Sequence, residues 1–459
     1  MYSEELPQAA AVIMAAGKGT RMKSDLAKVL HPILGRPMIL SVLDTLLAVG
    51  CSPNVVIVGH QAEQVEEVCR EYSGELRFAL QAVQRGTGHA VLSALPQLEG
   101  FEGPVLILSG DMPLIDVETV KRIIAAWQKN EDSLTILTAV SAQHRDFGRI
   151  IRCGDGSVDR IVEAKDCSPE EYAVEEVNLG AYCAKASFLR EYLPKLTPNN
   201  AQGELYLTDL VKLGRHNGCR IGAVTTENIQ CALGINTRLD LAAVAAIKRR
   251  KKTEALMLSG VSVWDPDSVW IEEGVSVAPN TEIRPGTVLL GKTSVGEGCI
   301  IGPHTQITDS SVGRRCQIIH SVLNQAQVED DVNIGPFAYL RPNAHIGCQA
   351  KIGDFVEIKN SNIGVGTKVP HLTYVGDSDV GSKTNIGCGT ITCNYDGRNK
   401  HRTVIGDNVF IGSNSSLVAP VTVGSGAKTG AGAVITHDVP ANCTVIGVPA
   451  RPMPEKKEN

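Results

Sequence analysis

Between about Val263 and Ile435 an aliphatic residue recurs at every sixth position, and that period excludes most folds. One run reads Ile283, Leu289, Val295, Ile301, Ile307, and a second Val328, Ile334, Leu340, Ile346, Ile352, Ile358. A third reads Ile405, Ile411, Leu417, Val423, with Ile435 in phase. A six-residue period matches neither the 3.6-residue helix nor the alternation of a plain strand. It matches a parallel β-helix, in which short strands turn at each corner and one aliphatic residue per face points into the core. Gly follows the aliphatic residue in Ile301-Gly302, Ile334-Gly335, Ile352-Gly353 and Ile386-Gly387, which suits tight corners of positive φ. Accidental spacing in a β-sandwich is the alternative, and so many in-phase positions argue against it. A hexapeptide solenoid is expected.

The earlier part of the chain follows another rule. Apolar stretches at Ala10–Met14, Val55–Val58 and Val105–Leu108 alternate with helical patterns over Met38–Val49, Gln61–Tyr72 and Val117–Gln128. Buried strands alternating with helices predict an α/β domain with a Rossmann-like, mostly parallel sheet. From Asn236 to about Leu258 the spacing is helical, and its RRKK run reads as the solvated face of a linker helix. The expected division is 1–230 for the α/β domain, 231–258 for the linker helix and 259–459 for the solenoid. A chain of 459 residues exceeds one ordinary core.

Composition excludes several partners. A net charge of −6 and a pI near 6.0 leave no basic surface for nucleic acid or an anionic membrane. The start, MYSEELPQAAAVIMAAGKGTRM, lacks the basic region and long apolar run of a signal peptide. No stretch approaches the roughly 20 apolar residues of a membrane span. Thirteen Cys lie scattered without a C-x-x-C pair, which argues for reduced thiols. A cytoplasmic protein without nucleic-acid or membrane partners is expected.

The first apolar strand runs directly into Ala15-Ala16-Gly17-Lys18-Gly19-Thr20-Arg21-Met22. A Gly-rich turn at a strand's carboxyl end lets backbone N–H groups approach phosphate oxygens. The generic fingerprints fail: there is no G-x-x-x-x-G-K-[ST], and Met22 stands where a third dinucleotide-binding Gly would be. Arg21 and Lys28 add two cations that suit a triphosphate losing pyrophosphate. An ordinary βα turn with surface basics is the alternative. Leu106-Ile107-Leu108-Ser109-Gly110-Asp111 is a strand ending in an acid, either a Mg²⁺ ligand or a helix cap. Gln81 to Ala90 forms a second polar Gly loop.

These segments together resemble the sugar-phosphate nucleotidyltransferases. With the solenoid attached, the chain from about Val12 to Arg451 resembles the family of bifunctional N-acetylglucosamine-1-phosphate uridylyltransferase/glucosamine-1-phosphate acetyltransferases. The resemblance implies a nucleotidyltransferase domain followed by a left-handed parallel β-helix. It further implies Mg²⁺-dependent uridylyl transfer from UTP to N-acetylglucosamine 1-phosphate, after acetyl transfer from acetyl-CoA to glucosamine 1-phosphate. Met14, Ala15, Ala16, Gly17 and Lys28 match positions that hold the nucleotide and its phosphates, with Arg21 and Lys28 assigned to catalysis. Gln81, Gly86 and Thr87 match the uracil-reading positions, and Gly148, Glu163 and Asn178 the sugar-binding ones. Asp111 matches the magnesium ligand and Asn236 its distant partner, which is assigned to the nucleotide sugar as well. Ser109 stands where Tyr is frequent, Phe147 where Tyr often precedes Gly-Arg-Ile, and Ala27 where Pro usually precedes the Lys.

In the solenoid the six-residue phase breaks between Ile386 and Ile405, at Gly389 to Gly397. Interrupting loops are where function tends to sit. Just before the break lies His371-Leu372-Thr373-Tyr374-Val375-Gly376-Asp377. Acyl transfer to an amine needs a base for the amine's proton and donors for the oxyanion, and His suits the first role. A packed or surface His is the alternative. Arg341 and Lys359 are 18 residues apart, the length of one three-sided coil, so they share a face and form a two-point phosphate clamp, or a pair of solvated basics.

By resemblance His371 is the general base, and Arg341, Lys359, Tyr374 and Asn385 hold glucosamine 1-phosphate. Acetyl-CoA is implied against Cys388, Asn394, Tyr395, Ser413 and Ala431, with Arg451 meeting its phosphates. The Cys388 backbone N–H is the oxyanion donor, and transfer is direct rather than through the Cys388 thiol. Pro370 departs from the Gly, Ser or Asn often found before the base, and it fixes the approach to His371. A homotrimer is implied, with the acyl-CoA site between solenoids. The rival readings are a single-function nucleotidyltransferase with a scaffold solenoid and a non-catalytic regulatory subunit. A scaffold needs no His371, Tyr374 or Asn385, and a regulatory subunit needs no Lys28, Asp111 or Asn236.

Overall fold

The computed structural model describes residues 6–453. The chain forms two compact units, Met1–Ala246 and Ile247–Asn459.

The first unit is built on a sheet whose central strands are aliphatic and buried almost throughout. The strands of this sheet are β1 (Ala10–Met14), β2 (Asn54–Val58), β3 (Leu76–Leu80), β4 (Pro104–Ser109), β5 (Leu134–Val140), β6 (Arg149–Arg152), β7 (Val158–Val162), β8 (Glu176–Lys185) and β9 (Ile221–Thr225). The sheet runs β9-β5-β8-β4-β1-β2-β3, with the β6/β7 hairpin attached to β8. All pairs along this path are parallel except those of β8, which runs antiparallel to β4 and β5. Helices α1 (Met38–Val49), α2 (Ala62–Cys69), α3 (Thr87–Ala94), α4 (Val117–Asn130) and α5 (Asp209–His216) connect the strands. Val12, Val55, Ile107 and Ile136 are fully buried at the centre of one of its cores. Helix α6 (Arg238–Leu258) follows. Residues 231–237 are not part of that helix; they form a short 3₁₀ turn and a loop.

The second unit is the parallel β-helix expected from the period. Its strands, mostly two to four residues long, stack into sheets of twelve, ten and nine. Every aliphatic residue of the three runs is buried, from Ile283 and Leu289 at 0 % exposure to Val328 at 4 %. Burying each such side chain contributes roughly 1.5–3 kcal/mol.

The period itself is not uniform. Several sides are five residues long: Ile307 to Val312, Ile318 to Leu323, Leu323 to Val328, Ile358 to Ile363 and Val375 to Val380. In those sides the left-handed corner residue comes two places after the buried one, as at Asp309, His320 and Asn360. In six-residue sides it comes three places after, as at Phe337, Asn343 and Leu372. Three short sides between Ile307 and Val328 are what separates the first run from the second.

The glycines after the aliphatic residues also need correction. Gly302 and Gly335 do have φ of +99° and +102°. Gly353 and Gly387 do not; a Cβ there would lie 1.8 Å from the Pro370 carbonyl oxygen and 2.6 Å from that of Ile411. At these positions Gly is required by the next coil's closeness. A second buried ladder, of Thr, Ser, Cys and Ala two places before the aliphatic residue, carries no hexapeptide signal of its own. Thr367 Oγ1 donates to Gly381 O (2.6 Å) and accepts from Thr384 N (3.0 Å), linking successive coils.

The loop interrupting the solenoid lies later than the phase implies. Thr392, 2 % exposed, holds the inward position six residues after Ile386, and its strand Ile391–Cys393 pairs on both sides. The insertion is therefore residues 394–402. The basic run is solvated only in part, with Arg250 and Lys251 exposed. Lys252 is half-buried and donates to the carbonyls of Glu273 (3.1 Å) and Val275 (2.9 Å), and Lys248 pairs with Glu273. These lysines fasten the helix to the first coil, where a solenoid needs a cap. Among the described residues no helix is long and apolar enough to cross a membrane.

Candidate functional sites

In the first unit β1 and β4 are neighbours, so their carboxyl ends open side by side into one crevice. A cavity of about 630 Å³ runs from Met14 and Ser109 to Gly148, Glu163 and Asn178. A second, of about 270 Å³, shares Met14, Thr87 and Ser109 and continues along Ala15–Gly17, Lys28, Gln81 and Gly86. Gly17 has open space where a side chain would stand. Gly19, at φ +62°, would put a Cβ 2.6 Å from Lys28 Cβ, so the loop and Lys28 are tightly packed.

Lys28 Nζ donates to Asp111 and, at 3.2 Å, to Asn236 Oδ1. A carboxylate and an amide oxygen thus converge on one cationic atom. This donor set suits a hard cation that takes its remaining ligands from water and substrate phosphates. Among the described residues no group of three or more His, Cys, Asp or Glu side chains forms a closed metal cage. Asn236 is held by Asp240, whose carboxylate accepts from the backbone N–H of Asn236 (3.0 Å) and Thr237 (2.8 Å). Burial pushes the Asp240 carboxyl up, and these N–H groups, the Thr237 hydroxyl and Arg21 outweigh it, leaving it below the ordinary value. Arg21 lines the cavity from an exposed position.

At the other end, Gln81 is buried and donates to Gly86 O (3.2 Å). Gly86, at φ +103°, would place a Cβ 2.6 Å from Leu205 O. The segment 204–208 braces this loop: Leu205 N donates to Arg85 O (2.8 Å) and Leu207 N to Thr87 Oγ1 (3.0 Å). Thr208 donates to Glu163 Oε1 (3.0 Å). Burial raises the Glu163 carboxyl above its ordinary value; Thr208 pulls it back, and Asp166 and Asp209 push it further up. Asn178 sits at an irregularity in β8, donating to the Tyr182 hydroxyl (2.7 Å) and accepting from Gly180 N (3.1 Å). Gly148 lies beside Glu163; a Cβ there would come within 3.4 Å of Glu163 Oε2. Sequence reasoning missed two supports of this pocket. Thr208 has no local signal. Arg149, 1 % exposed, donates to the carbonyls of Arg145 (3.2 Å) and Phe147 and holds the 144–148 loop.

In the second unit, strand register stacks Tyr339 on Glu357 and Leu340 on Ile358, which puts Arg341 directly against Lys359. Arg341 pairs with Glu357 (2.8 Å), and Lys359 lies 3.9 Å from Asp377. Asp377, 8 % exposed, also accepts from Asn360 (2.6 Å) and Asn394 (2.5 Å). The nearby Lys400 from the insertion, then burial, hold the Lys359 ammonium below its ordinary value, against the attraction of Asp377. Asn394 Nδ2 reaches the Tyr374 hydroxyl at 3.4 Å.

His371 ends the strand Lys368–His371, which pairs with Lys351–Asp354 below and Asn385–Ile386 above. Extending that register gives one column along the solenoid: Asp354, His371, Cys388, Ser413 and Ala431. Backbone bonds one residue on run along the same line, from Leu372 N to Asp354 O (3.0 Å), Asn414 N to Cys388 O (2.7 Å) and Gly432 N to Ser413 O (2.8 Å). His371 Nδ1 meets Asp354 Oδ1 at 2.5 Å. Asn385 lies on the Cys388 coil, three residues earlier. Tyr395 is exposed on the insertion, its hydroxyl donating to Gly397 O (2.7 Å). Arg451 is exposed near the end of the described chain, lining a separate cavity of about 300 Å³ with Thr436 and His437. Asp354, Asp377 and Lys400 were not read from sequence. Asp354 had a signal, since it precedes His371 by one coil of 17 residues.

Residues 11–197 match the model of the MobA-like NTP transferase domain, and residues 402–437 the bacterial transferase hexapeptide (six repeats). The bifunctional protein GlmU of Trichlorobacter lovleyi is 48% identical over 440 residues, covering 95% of each chain. That of Desulfitobacterium hafniense strain Y51 is 47% identical over 96% of each chain. That of a Geobacillus strain is 44% identical over 98% of this chain and 96% of its own.

Proposed function

The chain belongs to the family of bifunctional GlmU proteins, and from that membership we propose the division of labour between its two sites. The observation that carries the reading is that separate ligand-facing groups occur on its two units, Lys28, Asp111 and Asn236 on one and Arg341, Lys359 and His371 on the other.

On the solenoid, Arg341 and Lys359 clamp the 1-phosphate of glucosamine 1-phosphate, with Tyr374 and Asn385 on the sugar. Acetyl-CoA extends along the Cys388, Ser413 and Ala431 column, with Asn394 and Tyr395 on the insertion closing over it and Arg451 reaching its phosphates. The amine nitrogen bonds to the thioester carbonyl carbon and the carbon–sulfur bond breaks. His371 takes the amine's proton and returns one to the departing thiolate. The Cys388 N–H stabilises the oxyanion between these events.

On the α/β unit, N-acetylglucosamine 1-phosphate is held by Gly148, Glu163 and Asn178, and uracil by Gln81, Gly86 and Thr87. A phosphate oxygen of the sugar attacks the α-phosphorus of UTP, and the bond to pyrophosphate breaks. The loop Ala15–Gly17 with Arg21 and Lys28 neutralises the departing charge. Asp111 and Asn236 would hold Mg²⁺, which when bound supplies positive charge to the phosphate oxygens. No side-chain nucleophile is needed, since positioning and electrostatics supply catalysis.

The acetyl site lies between solenoids of a homotrimer, a reading supported by the exposure of His371 and Tyr395. A cytoplasmic location is supported by cysteines that, among the described residues, form no disulfide. The test is mass spectrometry of products after incubating the protein with glucosamine 1-phosphate, acetyl-CoA, UTP and Mg²⁺. UDP-N-acetylglucosamine is expected. N-acetylglucosamine 1-phosphate alone would remove the uridylyl assignment, and no product at all would return the chain to a regulatory role.

A further inference from the structure

We infer that Asp354 is a positioning residue for acetyl transfer: its carboxylate holds the Nδ1–H of His371 and leaves Nε2 as the proton acceptor. The inference rests on the reading of His371 as the general base.

Four observations on the backbone and side chains support it. His371 Nδ1 lies 2.5 Å from Asp354 Oδ1, a charge-assisted distance. The two residues are direct register partners on adjacent parallel strands, so the contact is built into the coil rather than reached by a flexible side chain. The backbone clamps the same corner, because Leu372 N donates to Asp354 O (3.0 Å) while Leu372 itself is left-handed at φ +46°. Gly353 makes the approach possible. A Cβ on it would stand 1.8 Å from Pro370 O, so only Gly lets the strand carrying Pro370 and His371 settle this close to Asp354.

The chemistry follows from the two ring nitrogens. A neutral imidazole carries one N–H, and the base must present the bare nitrogen to the amine. An acceptor fixed on Nδ1 selects the Nδ1–H tautomer and stabilises the imidazolium formed when Nε2 takes the proton, the logic of the serine-protease Asp. His371 donates toward Asp354 from the coil below, and the register sets the Cys388 thiol in the coil above. With Lys351, which opens the same strand as Asp354, these are the titratable groups on the two paired strands and the turn that follows the upper one. Asp354 in turn is held below the ordinary carboxylate range, first by its hydrogen bond with His371. It is therefore an acceptor throughout the neutral range.

The test compares Asp354→Ala and Asp354→Asn with the natural chain in acetyl transfer, with cooperative denaturant unfolding of the solenoid as the check that each variant is folded. Asp354→Ala is expected to lower kcat roughly 10- to 100-fold, with KM for both acetyl-transfer substrates within about twofold. Asp354→Asn, which carries no charge to stabilise the imidazolium and whose amide N–H can turn to Nδ1 and favour the Nε2–H tautomer, is expected to lose kcat as well. Nitrogen-15 spectra of labelled histidine, assigned with His371→Gln, are expected to show the Nδ1–H form in the natural chain and a shift toward Nε2–H in Asp354→Ala. An unchanged kcat in Asp354→Ala overturns the inference. So does a rise in KM alone, or a loss of kcat with the tautomer unmoved. If the natural chain itself transfers no acetyl group, the reading of His371 fails instead.

Discussion

Lys28 shows how one side chain ties a local motif to a distant one. It follows the Gly-rich loop closely in sequence, yet its ammonium rests on Asp111 and on Asn236, 208 residues further along. Replacing Lys28 by Ala leaves that pair of oxygens without its cation and removes a charge from the proposed phosphate path. Uridylyl transfer is expected to fall by about 100-fold or more with acetyl transfer unchanged, measured by separate assays of the two reactions. Glu163 makes a second prediction, on stability. Its carboxyl is raised chiefly by burial, so between the ordinary glutamate value and the raised one the folded state keeps a proton that the unfolded state has lost. Stability therefore decreases as pH rises through that interval. Glu163→Gln is expected to flatten this slope, raising the melting temperature of the first unit relative to the natural chain above the interval but not below it. It should also weaken uridylyl transfer. Equal shifts at both pH values would contradict the burial argument.

At the scale of an element, the coil is the unit that both folds and positions. The inward aliphatic residues were legible because each coil repeats the same demand at the same place. Ile346, fully buried, is one such residue, and Ile346→Ala is expected to cost about 2–5 kcal/mol in denaturant unfolding of the solenoid. The five-residue sides were not legible, since a left-handed Asp309 or His320 leaves no mark that a six-residue count can see. Gly353 was visible but misread as a turn residue, although its role is to let Pro370 approach. Gly353→Ala forces the two coils apart at the His371 strand. Acetyl transfer is expected to fall at least tenfold while uridylyl transfer stays, and an unimpaired acetyl rate would show that the coil absorbs the methyl group. Arg149, the Arg of Gly-Arg-Ile, has no role legible in sequence, because only the folded chain brings four backbone carbonyls round its guanidinium.

At the scale of the molecule, two units divide the chain near Ala246, and the two chemistries are proposed to divide with them. The residues proposed for the uridylyl site belong to the first unit, whereas the acetyl site is proposed to be completed by a neighbouring solenoid. Variants that dissociate the assembly are expected to lose acetyl transfer and keep uridylyl transfer. Size-exclusion chromatography with light scattering beside both assays checks this, and parallel loss of the two activities would refute it.

The amino-acid sequence by itself determined the two architectures. Repetition and alternation are local rules, written residue by residue in which side chains must leave water. It also named the chemically capable groups, since Lys28, Asp111, Arg341, Lys359 and His371 stand in segments whose pattern is read without neighbours. Tertiary structure decided which of these groups meet and what holds them. The Lys28 contact with Asn236, the bracing of Gly86 by Leu205 and the stacking of His371 on Asp354 arise only when segments far apart in the chain are brought together. Such contacts depend on distances between backbones, and no periodicity within one segment encodes a distance to another.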